Sequence, residues 1–191
     1  MPTDWRRKGK LTMGAMALVL ASAWMAGPAS AKISVTTQAE LLDRIQIEDL
    51  LYAYYGGLEG DEPEDFAAYY TDDAILDVNG RVTEGHDAIQ AFYDNYNAMS
   101  PGEQMAGTLH VMLNNPRIDI DGDKAVVRMI WTEVNSDSLK LAPRIVEQGT
   151  EYTELRKVDG QWLISKRVIT NSGGLPDAYD ETYKKREHGD H

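Results

Sequence analysis

Residues 50–61 read LLYAYYGGLEGD and predict the last turns of an amphipathic helix. Upstream, apolar residues recur close to the helical period, and Thr37 with Glu40 forms a capping-box pattern that starts the helix. The glycine pair within the stretch loosens the helix end, and Gly60 is placed to cap it. The stretch therefore brings two neighbouring tyrosines and one carboxylate, Glu59, to the mouth of a predicted apolar pocket.

Between residues 61 and 99 the pattern predicts a short helix, a hairpin and a third helix. Residues 61–64 begin the short helix, and residues 71–73 end it. Two short strands, 74–78 and 81–83, flank the turn dipeptide Asn79–Gly80, which is typical of a tight hairpin. The third helix is expected from about residue 87 to residue 99.

From residue 107 onward the hydrophobic period changes to two. This period predicts four long strands, over residues 108–120, 124–134, 144–157 and 161–170. Helices followed by a long meander indicate an α+β fold, in which N-terminal helices pack on one face of a curved antiparallel sheet. We expect one domain over residues 32–171, followed by a polar and mobile tail over residues 172–191, in which Tyr179 and Tyr183 could cap the domain.

The first 31 residues have the pattern of a secretory signal. Four basic residues precede an apolar run, and Pro28–Ala31 supplies a small-residue cleavage site after Ala31. An uncleaved membrane anchor is the alternative, but the apolar run is short for a spanning helix. We therefore expect a periplasmic or secreted protein that has no membrane partner after cleavage.

Composition narrows the function further. Cleavage would leave 15 basic and 30 acidic residues, and such a surface repels nucleic acid and anionic lipid. The chain has no cysteine, which excludes disulfides, thiolate nucleophiles and cysteine-ligated metals. No motif indicates a metal, nucleotide or flavin, so we expect no cofactor.

Four segments together resemble one known family. They are LLYAYYGGLEGDEPEDFAAYYTDDAILD, EGHDAIQAFY, LHVMLNNPRIDIDGDKA and GTEYTELRKVDGQWLISKRVI. Their order and spacing over residues 37–170 resemble the SnoaL-like branch of the nuclear-transport-factor-2-like (NTF2-like) superfamily. The resemblance implies a cone-shaped fold in which the bent sheet wraps around the helices and leaves a deep cavity. That fold hosts enzymes and binding modules alike.

The resemblance also implies candidate catalytic residues. In scytalone dehydratase, bile-acid 7α-dehydratase and hexachlorocyclohexane dehydrochlorinase, a carboxylate at the end of the first helix works with a histidine on a strand. Glu59 and His110 occupy these two positions. Tyr54 matches a tyrosine of the bile-acid enzyme and the ketosteroid isomerases, and Glu133 matches a further acid of the bile-acid enzyme.

Three departures from the family pattern stand out. Glu59 is one methylene longer than the usual aspartate. Val78 stands where the ketosteroid isomerases have their base, which disfavours the isomerase mechanism. Gly149 and Glu151 replace the serine and asparagine that the dehydratases carry on the penultimate strand.

Strand alternation predicts which side chains share the cavity wall. His110 shares a face with Met112 and Asn114, and this face is the more polar one, so we expect it to line the cavity. On the next strand one face carries Val127, Met129, Trp131 and Glu133. We expect Met112, Asn114, Met129 and Trp131 to contact a ligand.

Two tyrosines compete for a place beside Glu59. In an ideal helix Tyr55 lies about 40° from Glu59 and Tyr54 about 140° from it. Helix geometry therefore favours Tyr55, whereas family position favours Tyr54. We place Tyr54 in the catalytic group and Tyr55 among the substrate-binding residues.

These observations support a cofactor-independent lyase or isomerase acting on a small apolar or hydroxylated ring compound. His110 would be the base, Glu59 its orienting partner, and Tyr54 with Glu133 the acid or hydrogen-bonding groups. The alternative is a non-catalytic module that binds a hydrophobic small molecule. A subunit of a larger assembly, including a homo-oligomer, is a third hypothesis.

Overall fold

The computed structural model describes residues 37–58, 65–95 and 108–184. The predicted signal and Glu59 lie outside these ranges. The helices are α1 (Gln38–Leu58) and α2 (His86–Asp94). The strands are β1 (Tyr70–Val78), β2 (Arg81–Glu84), β3 (Thr108–Asp121), β4 (Lys124–Ser136), β5 (Arg144–Val158) and β6 (Gln161–Gly173). In the described part of the chain, no helix is long and apolar enough to cross a membrane.

The start of α1 confirms the predicted capping box. The Thr37 backbone N–H donates to Glu40 Oε2 at 2.7 Å, and the Glu40 N–H donates to Thr37 Oγ1 at 3.2 Å. Two N–H groups that lack a partner within the helix are thereby satisfied. The helix then runs to Leu58, so the predicted tyrosine pair lies in its last turns.

The six strands form one sheet in the order β2-β1-β6-β5-β4-β3. The meander from β3 to β6 is antiparallel, and its strands match the predicted ones at their starts and extend one to three residues further at their ends. One pairing differs from the predicted antiparallel sheet, because β1 pairs in parallel with β6. This pairing joins distant parts of the chain, so no local turn signal announces it.

The segment between the two helices differs from its prediction in one respect. A single 3₁₀ turn, Phe66–Tyr69, replaces the short helix within the described residues, and β1 already begins at Tyr70. The predicted turn is present, since Asn79 and Gly80 both have positive φ values of 53° and 85°. Helix α2 ends at Asp94, and residues 96–99 of the predicted third helix lie outside the described ranges.

A charged pair lies at the centre of the core. Arg167 on β6 and Glu151 on β5 are joined at 2.8 Å, and both side chains are fully buried. Glu151 also accepts hydrogen bonds from Tyr55, and from Thr153 at 2.6 Å. The guanidinium carbon of Arg167 lies 3.7 Å from the ring centroid of Tyr54, so the cation also faces an aromatic ring.

The beginning of the predicted mobile tail is packed on the domain. Tyr179, in a 3₁₀ turn over Asp177–Tyr179, is only 4% exposed. The Tyr183 hydroxyl donates to the Asn171 carbonyl oxygen at 3.0 Å. Gly80 has no side chain that would collide with this segment, since a Cβ there would lie 2.1 Å from the Thr182 carbonyl oxygen. Residues 175–183, which we call the C-terminal segment, therefore form part of the folded structure.

Replacing Arg167 with methionine is expected to destabilise the fold by about 3–5 kcal/mol, because Glu151 then remains buried without its cation. The double variant Arg167→Met/Glu151→Met is expected to recover much of this loss. Urea unfolding of the single and double variants measures both effects.

Arg117→Met provides the matched control for that experiment. Arg117 pairs with Asp119 at the surface, where its side chain is 74% exposed, so its loss should cost at most about 1 kcal/mol. Equal losses in Arg167→Met and Arg117→Met would contradict the central role of the buried pair.

Candidate acid–base site in the cavity

A cavity opens between the end of α1, helix α2, the sheet and the C-terminal segment. Its empty space is about 540 Å³ including the open mouth, and the centre of a water molecule can reach about 60 Å³ of it. This is room for a small ligand or a few water molecules. The walls are mostly apolar and aromatic; the lining residues are Tyr54, Tyr55, Leu58, Val78, Asn79, Phe92, Tyr93, Trp131, Glu133, Glu147, Ile169, Asn171, Pro176 and Tyr179.

Two carboxyl groups face each other in the wall. Glu133 on β4 and Glu147 on β5 are direct cross-strand partners, and such partners have neighbouring side chains on one face of the sheet. Burial, and then repulsion by Glu147, raises the pKa of Glu133 from 4.5 to about 7. Near neutral pH Glu133 is therefore present in both its protonated and its ionised form.

Glu147 is oriented by two asparagines. Asn171 Nδ2 donates to Glu147 Oε2 at 2.9 Å, and Asn79 Nδ2 donates to Asn171 Oδ1 at the same distance. The Asn171 backbone N–H returns a hydrogen bond to Asn79 Oδ1, also at 2.9 Å. The β1–β2 turn is thereby fixed to β6. The Asn171 amide thus holds the Glu147 side chain in place beside Glu133.

Tyrosine hydroxyls form a cluster elsewhere in the wall. Tyr54 and Tyr93 share a short hydrogen bond, and the Tyr93 hydroxyl lies 3.0 Å from that of Tyr70. Burial raises the pKa of both Tyr54 and Tyr93 well above 10. These hydroxyls therefore remain neutral and act as hydrogen-bonding groups rather than as bases.

The choice between Tyr54 and Tyr55 as the neighbour of Glu59 stays a prediction, because Glu59 lies outside the described residues. Both residues line the cavity. The Tyr55 hydroxyl donates to Glu151, however, and the Tyr54 ring lies against Arg167. Each tyrosine thus presents part of its surface to the cavity while its polar group or ring face contacts the central ion pair or the hydroxyl cluster.

Trp131 forms another part of the wall, and a glycine makes room for it. A Cβ on Gly149 would lie 2.5 Å from the Trp131 ring and 2.2 Å from the Thr170 carbonyl oxygen. Within the described residues, the buried Trp131 Nε1 and the buried Tyr179 hydroxyl have no hydrogen-bond partner. Buried polar groups are normally paired, so these two groups stand out as donors that lack the hydrogen bond which burial normally requires.

The sequence pattern predicted that the face of β3 carrying His110 lines the cavity, and this prediction is wrong. His110 is exposed, and its register partner is Val134, whereas its neighbour Val111 lies opposite the cavity residue Glu133. Since successive side chains point to opposite faces, His110 points away from the cavity. The apolar neighbours Val111 and Leu113 pack on the core instead. A cavity wall is continuous with the core, and burial of apolar surface decided which face turns inward.

Met112 and Asn114 share the outer face with His110. Met112 is 48% exposed, and Asn114 Nδ2 donates to the Met112 carbonyl oxygen and to Thr132 Oγ1. Their expected contact with a ligand in the cavity is therefore wrong as well. Met129 is buried in the core next to the wall, and the position of Glu59 lies outside the described residues.

Several polar wall residues were not anticipated from the sequence, among them Glu147, Asn171 and Tyr179. Glu147 and Asn171 lie at strand positions where acidic and amide side chains normally face solvent, so alternation alone assigns them outward. Tyr179 lies in the segment whose composition predicts mobility. Glu133 could have pointed to Glu147, because a strand that pairs antiparallel with β4 must place one of its residues opposite Glu133. In the described part of the chain no cluster of His, Asp or Glu side chains could hold a metal ion.

Comparison with known proteins identifies the fold. The SnoaL-like domain family matches residues 39–168. A provisionally assigned scytalone dehydratase from Novosphingobium aromaticivorans has a TM-score of 0.58 at 21% identity, covering 72% of this chain and 89% of that chain. A Nostoc punctiforme protein of unknown function with a cystatin-like fold has a TM-score of 0.58 at 20% identity, covering 71% and 95%. An NTF2-like protein from N. aromaticivorans has a TM-score of 0.55 at 18% identity, covering 74% and 94%.

No curated protein matches the sequence. The family match and the solved structures confirm the resemblance and the α+β fold class expected from the sequence. At identities near 20%, the solved structures establish the fold and not the reaction.

Replacing Glu133 with glutamine is expected to stabilise the protein above pH 7. A raised carboxyl pKa means that the folded state holds the proton more tightly, so wild-type stability falls as pH rises from about 4.5 through 7. Glu133→Gln does not ionise and escapes this loss. Its stability relative to wild type should therefore rise between about pH 5 and pH 8, by at most about 3 kcal/mol.

Urea unfolding at several pH values measures this difference. Glu84→Gln removes the same charge at an exposed position on β2 and is expected to lack the gain. A stability difference between wild type and Glu133→Gln that stays constant over this pH range would show that Glu133 does not titrate as described.

Proposed function

Because the chain belongs to the SnoaL-like domain family, whose fold encloses a cavity, we propose that it catalyses cofactor-independent proton transfer on a small ring compound, as a dehydratase or isomerase. The observation that carries the proposal is the Glu133–Glu147 pair in a largely apolar cavity. The raised pKa of Glu133 suits a general acid–base catalyst at neutral pH. Glu133 thus takes the role that the sequence suggested for His110.

The reaction needs one group that takes up a proton and returns it. In an elimination, the Glu133 carboxylate removes a proton from a carbon next to a carbonyl group, and the C–H electron pair forms an enolate. The new carboxylic acid then protonates the hydroxyl group that departs from the neighbouring carbon, the C–O bond breaks, and water leaves. In an isomerisation the same acid returns the proton to a different carbon.

Two donors of the wall can stabilise the negative oxygen of the enolate. Trp131 Nε1–H and the Tyr179 hydroxyl are buried in the wall without a partner among the described residues. Donors that are already oriented in a partly dry site stabilise developing charge more than water does. Burial raises the pKa of Tyr179 to about 12, so its hydroxyl keeps the proton that it donates.

Glu147 acts as a positioning residue for this chemistry. Its charge raises the Glu133 pKa, and Asn171 holds its carboxylate. The similarity in fold to a provisionally assigned scytalone dehydratase is consistent with elimination chemistry, although the two chains share 21% of their residues.

A non-catalytic binding module is the second candidate function. One observation favours it: His110 lies on the outer face of the sheet, so the carboxylate–histidine arrangement of the related dehydratases does not form in the described cavity. In that case the cavity would hold a ligand without transferring a proton.

The catalytic proposal is tested with cyclic β-hydroxy ketones in D₂O, beginning with 3-hydroxycyclohexanone. Proton NMR follows both the formation of the enone and the incorporation of deuterium next to the carbonyl group. Glu133→Gln is expected to lower the rate by at least about 100-fold, and Glu84→Gln is expected to leave it unchanged. Since the first step needs the carboxylate, wild-type activity should rise with pH and reach half its maximum near pH 7.

Glu147→Gln separates a positioning role from a catalytic one. Loss of the neighbouring charge lowers the Glu133 pKa, so the pH profile should shift to lower pH while activity persists. Equal rates in wild type and Glu133→Gln would contradict the proposal. Binding of a ring compound without water loss or deuterium incorporation would instead support the binding module.

A further inference from the structure

Trp131 is the largest side chain in the described wall of the cavity. It lies on β4, is 4% exposed, and is the register partner of Gly149 on β5. A Cβ added to Gly149 would lie 2.5 Å and 2.8 Å from two atoms of the indole ring, Cζ2 and Cε2. The ring therefore lies directly against the β5 backbone and fills the space that a side chain at position 149 would otherwise occupy.

The tyrosines at the end of α1 also form part of the wall, but polar contacts tie them to the core. Tyr54 shares a hydrogen bond with Tyr93, and its ring faces Arg167. Tyr55 donates to Glu151. Replacing either tyrosine with a smaller apolar residue would remove a buried hydrogen bond, which is costly. The size of the cavity is therefore poorly adjustable at these two positions.

Trp131 differs from the tyrosines, because no hydrogen bond within the described protein depends on it. Its buried Nε1–H has no partner among the described residues. A smaller apolar side chain at this position would therefore break no described side-chain hydrogen bond. Surrounding residues relax only partly when a buried side chain is truncated, so much of the volume of the ring would be added to the cavity.

The room that the indole ring leaves is limited. The empty space of the cavity is about 540 Å³, and this figure includes the open mouth. Pockets that bind drug-sized ligands have volumes of about 300–1,000 Å³. The enclosed part of this cavity is therefore toward the small end of that range, where the volume of one further ring decides which compounds fit.

We infer that Trp131 sets the size of the ligand: the cavity accepts a compound with one ring, and a smaller side chain at position 131 would admit a second, fused ring over Gly149. Trp131 is thus a specificity-determining residue as well as a hydrogen-bond donor. This inference rests on the proposed function, since it concerns the ligand of the same cavity. It requires only that the cavity binds a small ring compound, so binding tests it without turnover.

Benzyl alcohol and 2-naphthalenemethanol test the inference, because they carry the same hydroxymethyl group on one ring and on two fused rings. Isothermal titration calorimetry gives the ratio of their association constants for each protein. In wild type, 2-naphthalenemethanol should bind no more tightly than benzyl alcohol. In Trp131→Leu it should bind at least about tenfold more tightly than benzyl alcohol, because the second ring is then buried in the space over Gly149.

Trp162→Leu is the matched control. Trp162 is also 4% exposed, but it lies outside the described cavity wall, and its Nε1–H donates to Asp43 at 3.2 Å. This variant makes the same change elsewhere in the core and should keep the wild-type ratio. Trp131→Phe retains a six-membered ring and should give a ratio between those of wild type and Trp131→Leu. It also decides the test if urea unfolding shows that Trp131→Leu does not fold.

The outcomes for ligand size and for catalysis are separate. A wild-type ratio in both Trp131 variants overturns the inference, and so does an equal rise in Trp162→Leu. Water loss from 3-hydroxycyclohexanone would then still support the proposed proton transfer. A raised ratio in the Trp131 variants alone, with no proton transfer on any ring compound, supports the size limit and overturns catalysis. Binding of neither alcohol to wild type or to the Trp131 variants contradicts the inference as well.

Discussion

The buried contact between Arg167 and Glu151 is the constraint around which the core is arranged. A guanidinium removed from water requires a compensating charge, and Glu151 on β5 supplies that charge and accepts the hydrogen bond of Arg167 Nη2. Helix α1 contributes Tyr54, whose ring faces the cation, and Tyr55, which donates to Glu151. The contact thus fixes the rotation of α1 against the sheet. Since the same two tyrosines form part of the cavity wall, it also determines the shape of the cavity.

This arrangement separates structural polar groups from chemically available ones. The tyrosine pair, which the sequence alone suggested as the reactive feature, makes its polar contacts mainly with the core. Glu133 has a different environment, because it is largely removed from water and the neighbouring charge that acts on it belongs to another carboxylate, Glu147. Its affinity for a proton is therefore raised and not lowered. The groups able to react with a ligand lie toward β4 and β5. They lie away from the end of α1, where the sequence pattern predicted the tyrosine pair.

Local signals in the sequence were sufficient to predict most of the elements of the fold. The Thr37–Glu40 capping box, the Asn79–Gly80 turn and the period-two strands after residue 107 depend on neighbouring residues, and each is present. Features that depend on distant residues were not predictable in this way. The parallel pairing of β1 with β6 and the buried position of Tyr179 both involve contacts across most of the domain.

The site residues divide in the same way, into those predictable from neighbouring residues and those that depend on distant contacts. Glu133 and Trp131 were correctly placed on one face of β4, because alternation within a strand is local. The face of His110 was misjudged, because a more polar face was equated with a cavity wall. That equation holds only if the wall is polar. Here the wall is largely aromatic, so the apolar set of β3 turned inward. Glu147 was missed because its place opposite Glu133 depends on the register between β4 and β5, which alternation within one strand does not determine.

Asn171 connects two parts of the molecule that otherwise have separate roles. Its side chain holds Glu147, and its carbonyl oxygen accepts the hydroxyl of Tyr183. One residue therefore holds both a member of the carboxyl pair and the C-terminal segment. The cavity wall and the last described turn of the chain share this single point of attachment, so a change at Asn171 acts on both of them together.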